Sequence, residues 1–342
     1  MKQIEWGYLI VSYLFLGGLS AGIYCVSALA ALLHANGHDS AYKRIARLGA
    51  LLAPWPVLIG SFLLIFDLGH WYRFWKLFVH LQWTSPMSLG SWLLIAFSVV
   101  AFVYFYSWLT EDERRWIFSK IPGKLRFLQI LNCDLSGKQR ILALLGLPIS
   151  VGVGIYTGVL LGAVQSRPFW NTNLVAQLFL FSALSTGCAG IMLVLALSHE
   201  PSDSRGFHLL YGLDIGLLIL EFFIVVPYVV HGQLSTQAVK NSLALILGGP
   251  FTGLFWVFFV GLGLLLPLGI EVFESVPAFL SRAPVQYNQR LTALTAVLVL
   301  GGGFLLRYIF VFAGQMSSFD WTVGQGTEVL GEKREPASTV DL

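Results

Sequence analysis

Charge is what this sequence has least of. Only 11% of its 342 residues are Asp, Glu, Lys or Arg, while 56% are hydrophobic; an ordinary soluble domain is roughly 25% charged. So much apolar surface exceeds what a soluble fold of this length can hide. That excludes a disordered chain, a nucleic-acid binder and a cytosolic two-domain enzyme, and it leaves an integral protein of the lipid bilayer. The formal net charge of +3 is too small to indicate an anionic partner. Cysteine is scarce as well. Cys25, Cys133 and Cys188 form no CxxC and no regular spacing, so by themselves they make no disulfide framework, zinc site or iron–sulfur cluster. Histidine is missing where a bis-haem b cytochrome needs it: His34, His38, His70, His80, His199, His208 and His231 all fall in loops or at the ends of apolar runs. Gly137-Lys138 lacks the upstream glycine of a phosphate-binding loop, which excludes an ATP-driven pump. With no metal site in the chain, cluster or metal chemistry must belong to a partner.

What the sequence has in abundance is apolar runs. A bilayer core of about 30 Å takes roughly 20 residues of helix, and eight runs qualify: 8–33, 48–66, 88–109, 141–164, 174–198, 209–230, 251–273 and 291–313. The first lacks a cleavage pattern and reads as a retained span rather than a signal peptide. Residues 241–250 are apolar but too short to cross, so 232–250 reads as a surface or re-entrant connection; a ninth span there would move the C-terminus across the membrane. The predicted fold is all-α, a polytopic membrane protein with eight transmembrane helices arranged as two four-helix bundles. The expected division is an N-terminal bundle over 1–170, a C-terminal bundle over 171–313 and an extramembrane tail over 314–342. Loops 1–2, 3–4, 5–6 and 7–8 hold 13 of the 21 Lys and Arg, which by the positive-inside rule puts them in the cytoplasm and both termini outside. The segment from His70 to His80 alternates aromatic and basic residues and reads as interfacial.

Ionisable groups inside spans are costly in lipid and therefore draw attention. Tyr211, Asp214, Glu221 and Tyr228 are spaced by 3, 7 and 7 residues, which keeps them on one helical face. They form either a proton relay or a set of interhelical hydrogen-bond partners. Glu271 and Arg307, near the ends of their apolar runs, are expected to snorkel or to form a structural ion pair. At the outer side Asp67, His70 and Arg73 could bind and protonate a carbonyl headgroup, or Arg73 could simply pair with Asp67 or a lipid phosphate. Glycine is plentiful, with 35 residues, many of them within spans. Glycines four apart favour close helix packing, and in 156–162 they leave room beside Tyr156 for a flat ring.

Four ordered stretches carry a family resemblance. They are Tyr13-Leu14-Phe15-Leu16-Gly17-Gly18-Leu19-Ser20-Ala21-Gly22; Asp67-Leu68-Gly69-His70 with Arg73-Phe74-Trp75; Ser85-Pro86-Met87-Ser88-Leu89-Gly90-Ser91-Trp92; and Tyr156-Thr157-Gly158 with Arg167-Pro168-Phe169-Trp170-Asn171. Together they resemble the NrfD/PsrC family, the membrane anchors of polysulfide-reductase-like complexes. Spans five to eight match mainly in hydropathy and in the stretch from Gly249-Pro250-Phe251 to Glu271.

The resemblance implies a haem-free subunit of the bacterial or archaeal cytoplasmic membrane that binds a quinone, menaquinone or ubiquinone, near the periplasmic face. It implies electron exchange with a four-cluster ferredoxin-like iron–sulfur subunit, backed by a molybdopterin catalytic subunit or a multihaem cytochrome. On that resemblance Tyr156 holds one quinone carbonyl, with Tyr13, His70 and Arg73 completing the binding site and Asp67 and His70 exchanging protons. The partner would dock over Trp75, Ser85, Pro86, Trp92, Arg167, Pro168, Trp170 and Asn171, and Asp214, Glu221, Tyr211 and Tyr228 would be the proton pathway. The competing readings are a structural anchor without quinone chemistry and a secondary transporter, although the halves show no convincing internal repeat.

Overall fold

The structure, a computed structural model, describes residues 6–36, 40–67, 82, 85–119, 135–198, 204–281 and 288–317. Eight helices among them are long and apolar enough to cross a membrane. They are α1 (Tyr8–Ala35); α2 (Ser40–Leu52) continued by α3 (Pro54–Asp67); α4 (Pro86–Ser107); α6 (Gln139–Gly162); α7 (Asn173–Leu197); α8 (Ser204–Leu234); a π-helical stretch Leu254–Leu265 continued by α10 (Leu266–Ser281); and α11 (Gln289–Met316). Two shorter helices complete the set, α5 (Glu111–Ser119) and α9 (Gln237–Leu247). Eleven residues of α9 rise only about 16 Å, half of an apolar core of about 30 Å. Its buried side chains, Ala238, Ser242, Leu243 and Ile246, settle it on α8 and α11, so residues 232–250 make no ninth span.

Span two starts earlier than hydropathy alone suggests. Ala41, Ile45, Ala46 and Ala50 of α2 recur on one face and are buried against α1, while Arg47 on the other side reaches Glu113. Pro54 and Pro56 end the first half of that span, and the Ser20 hydroxyl of α1 donates to the Ala53 carbonyl at the break.

Small residues set the helix crossings. A Cβ on Gly22 would strike the Ala183 carbonyl, and one on Gly187 would strike the backbone of Gly22 and Ile23, so α1 and α7 touch main chain to main chain. Gly158 meets Ala176 in the same way, and Gly263 of the π-helical stretch meets Gly302 of α11. As a result α1 packs against α2, α3, α6 and α7, and α7 packs against α1, α6, α8 and α11. α4 lies on α6, and α10 touches both α8 and α11. α7 therefore joins the first four spans to the last three.

Candidate functional site

Four helices bring their ends together on one side of the molecule: the start of α1, the end of α3, the start of α4 and the end of α6. At 1.5 Å per residue, Tyr13, Gly60, Gly90 and Tyr156 lie about 6 to 10 Å in from those ends. The α4 start is fixed by Ser85, whose side chain accepts from the Ser88 N–H at 3.4 Å, and by Pro86 in the first turn. The Tyr156 ring occupies the space a Cβ on Gly90 would take, so any larger residue at 90 displaces it. Tyr13 lies beside Gly60 of α3, where a Cβ would stand 3.6 Å from its Cδ2. The two phenols are close enough to interact electrostatically. Tyr13 is buried and Tyr156 half-buried, and neither hydroxyl has a hydrogen-bond partner among the described residues. Two neighbouring phenol donors without partners, set among four apolar helix ends, are the kind of groups that a ligand with carbonyl acceptors takes.

Asp67 closes α3; its side chain, like His70, Arg73 and Trp75, lies outside the described residues. Of the other residues expected at the outer surface, Trp92 and Asn171 are exposed and Ser85 and Pro86 are half-buried. Arg167, Pro168 and Trp170 turn inward instead. Arg167 Nη1 donates to the carbonyls of Gln315 and Ser317, each at 2.6 Å, and the Trp170 indole donates to the Phe310 carbonyl at 2.6 Å over the bare Cα of Gly314. Trp6 stacks on Trp170 with centroids 5.3 Å apart, and its backbone exchanges two hydrogen bonds with Gln315. The 163–172 turn thus ties the first helix to the end of the last.

A second set of polar groups runs through the other half. Tyr211, Asp214, Glu221 and Tyr228 are all buried on one face of α8. Tyr211 donates to Glu274 Oε2 at 2.5 Å and lies 2.8 Å from Thr292 Oγ1. Asp214 Oδ1 accepts from Ser185 at 2.7 Å. Tyr228 donates to the Phe169 carbonyl at 2.9 Å, beside a small, partly open pocket of about 30 Å³ lined by Asn171, Thr172, His231 and Ser235.

Of the two roles expected for Glu271 and Arg307, snorkelling from span ends or a structural ion pair, burial rules out the first: both are fully buried. The hydropathy of their runs fades before the helices end, because α10 continues to Ser281 and α11 to Met316. The Glu271 carboxyl interacts with Asp214 where α10 packs on α8. Arg307 Nη1 donates to Ser182 Oγ at 2.8 Å and to the Gly303 carbonyl at 2.7 Å, and its guanidinium lies over the rings of Phe15 and Phe179. Glu221 interacts with both Arg307 and Ser182, so a buried cation and a buried carboxylate lie around one serine. From the other end of the molecule inward, the order is Glu274, Tyr211 and Thr292, then Glu271, Asp214 and Ser185, then Ser182, Glu221 and Arg307. Sequence reading missed Ser182, Ser185 and Glu274; polar residues facing across from α7 and α10 at the depth of Asp214 and Glu221 were the available signal.

The sequence profile described as "Polysulphide reductase, NrfD" matches residues 1–318. The protein is 32% identical to a polysulfide reductase chain of Wolinella succinogenes over 320 residues, covering 92% of this sequence and 95% of the relative. It is 30% identical to protein NrfD of Escherichia coli over 328 residues, covering 92% and 96%. A selenate reductase subunit of Mesobacillus selenatarsenatis is 28% identical over 293 residues, covering 77% of this sequence and 66% of that one.

Proposed function

The chain belongs to the NrfD polysulphide reductase family, and on that premise we propose that it is the quinone-reactive membrane subunit of a respiratory oxidoreductase complex. Tyr156 donates to one carbonyl of the quinone headgroup and Tyr13 donates to the other, with Asp67, His70 and Arg73 as the further members of the site. A quinone bound there supplies two-electron redox chemistry; this chain supplies position, hydrogen bonds and protons. The observation that carries the reading is the pair of unpartnered phenols, Tyr13 and Tyr156, at one end of α1, α3, α4 and α6. Two features support it further: the two glycines that leave room beside those rings and the family itself.

In this proposal the site faces the periplasm and both termini lie on that side, with spans one to four forming the quinone-binding bundle and spans five to eight the second. Trp92 and Asn171 offer exposed contacts to an iron–sulfur subunit, while Arg167, Pro168 and Trp170 hold the turn behind them in shape. A molybdopterin subunit or a multihaem cytochrome completes the complex. Tyr211, Asp214 and Glu221, with Tyr228 at the outer end, conduct protons through the second half. The test is Tyr156→Phe in the assembled complex. Losing one hydrogen bond to a site where charge develops, worth roughly 1.5–3 kcal/mol, should slow quinone-linked electron transfer about 10- to 100-fold with subunit composition unchanged. Unchanged turnover would remove Tyr156 from the site.

A further inference from the structure

We propose that Asp214 and Glu271 share a single proton, and that this carboxyl–carboxylate pair, rather than Glu221, is the proton store of the second half. The two groups come from different helices, α8 and α10, and both are fully buried. Asp214 Oδ1 is satisfied by Ser185, but Asp214 Oδ2 and both oxygens of Glu271 have no donor among the described residues, and the two carboxyls interact across the contact between α8 and α10. Two bare carboxylates in contact would repel strongly in so dry a place, and a proton between them relieves the repulsion and satisfies the orphaned oxygens.

Among the described residues no cation is placed to do the same. The groups that interact with the pair are Ser185 and Cys188 from α7, Tyr211 and Glu221 from α8 and Glu274 from α10, with Thr292 of α11 reaching it through Tyr211. Arg307, the buried cation of this half, is engaged one layer further in with Ser182 and Glu221. Its charge balances that of Glu221 and leaves the proton to Asp214 and Glu271.

The pair also has an outlet. Glu274 is half-buried and accepts from Tyr211 and, at 3.4 Å, from the N–H of Asn288, which is exposed at the start of α11. A proton entering there takes the pair from a net charge of −1 to 0, and release inward past Ser185 restores it. The inference rests on the proton role proposed above for its direction of transfer alone. Its test needs no quinone, so the two readings fail separately.

Infrared spectroscopy of the purified full-length protein at pH 7 reads the carbonyl stretch of a protonated carboxyl, identified by its downshift in D2O. One such band is expected in the wild type, lost in Glu271→Gln and kept in Glu221→Gln. Absence of the band in the wild type, its survival in Glu271→Gln, or its loss in Glu221→Gln would overturn the proposal. Labelling of the unaltered protein with dicyclohexylcarbodiimide, which adds one-to-one to protonated carboxyls, covers the case in which the variants do not fold. An adduct is expected on Glu271 or Asp214 and none on Glu221. No adduct on either, or labelling blocked by sodium ions, which would mark a cation site, counts against a shared proton.

Discussion

Arg307 of α11 reaches across the molecule to Gly18 of α1, its Nη2 lying 3.0 Å from the point where a Cβ on Gly18 would sit. Gly18 is one residue past Gly17 and five past Tyr13, so a charge buried by the second half abuts the helix that carries one of the two unpartnered phenols. Gly303, a turn before Arg307 on its own helix, clears the other side of the guanidinium. Two glycines thus make the room for one arginine.

Because Arg307 and Glu221 meet through Ser182 in a dry interior, removing one partner strands the other. Arg307→Met is expected to destabilise by about 3–5 kcal/mol, the cost of leaving a buried charge unpaired, and adding Glu221→Gln should recover at least half of that loss. Chemical unfolding in mixed micelles, run as a double-mutant cycle, checks it. Additive losses would mean that the two groups do not interact.

The crossing of α1 and α7 gives an internally controlled stability test. Gly22→Ala drives a methyl into the Ala183 carbonyl and should cost about 1–3 kcal/mol as overpacking, whereas Gly17→Ala, with nothing near its added carbon, should stay within about 0.5 kcal/mol of the wild type. Equal unfolding midpoints for the two variants would contradict the backbone contact between α1 and α7.

The helix after span three is capped reciprocally. The Thr110 N–H donates to Glu113 Oε2 at 2.8 Å, the Glu113 N–H donates to Thr110 Oγ1 at 3.3 Å, and Arg47 pairs with Glu113 Oε1 at 2.7 Å. These contacts, the Thr110 N–H first, lower the pKa of Glu113. A lowered carboxyl stabilises the fold above the unfolded glutamate pKa of about 4.3 and loses that contribution as pH falls through the folded value. Thermal unfolding of Glu113→Gln should therefore trail the wild type at pH 7 by the worth of a cap, about 1 kcal/mol, and match it in strong acid. A gap that persists in acid would point to packing instead.

The spans were legible because an apolar run of bilayer length has few other uses, and all eight lie where hydropathy put them. Their true ends were not. Glu271 and Arg307 look terminal in a hydropathy trace, but α10 and α11 run on through polar residues, which leaves both side chains buried. The face shared by Asp214 and Glu221 follows from helical spacing. Their partners Ser182, Ser185 and Glu271 come from other helices and depend on packing that spacing along one helix does not report. Likewise the Arg167-Pro168-Phe169-Trp170 stretch reads as an exposed loop until α11 is seen lying against it. Tyr13 and Tyr156, 143 positions apart, were singled out by the motifs around them, and only the folded bundle brings their rings to one end.

Binding itself is the most direct measurement. Titration of the purified subunit with a short-chain naphthoquinone, followed by quenching of tryptophan fluorescence, should give one saturable site. Tyr156→Phe and Tyr13→Phe should each weaken it about tenfold, the equivalent of roughly 1.4 kcal/mol, and Gly90→Leu, which displaces the Tyr156 ring, should abolish it. Linear, unsaturable quenching in the wild type, or an affinity indifferent to all three substitutions, would contradict a quinone site between α1, α3, α4 and α6.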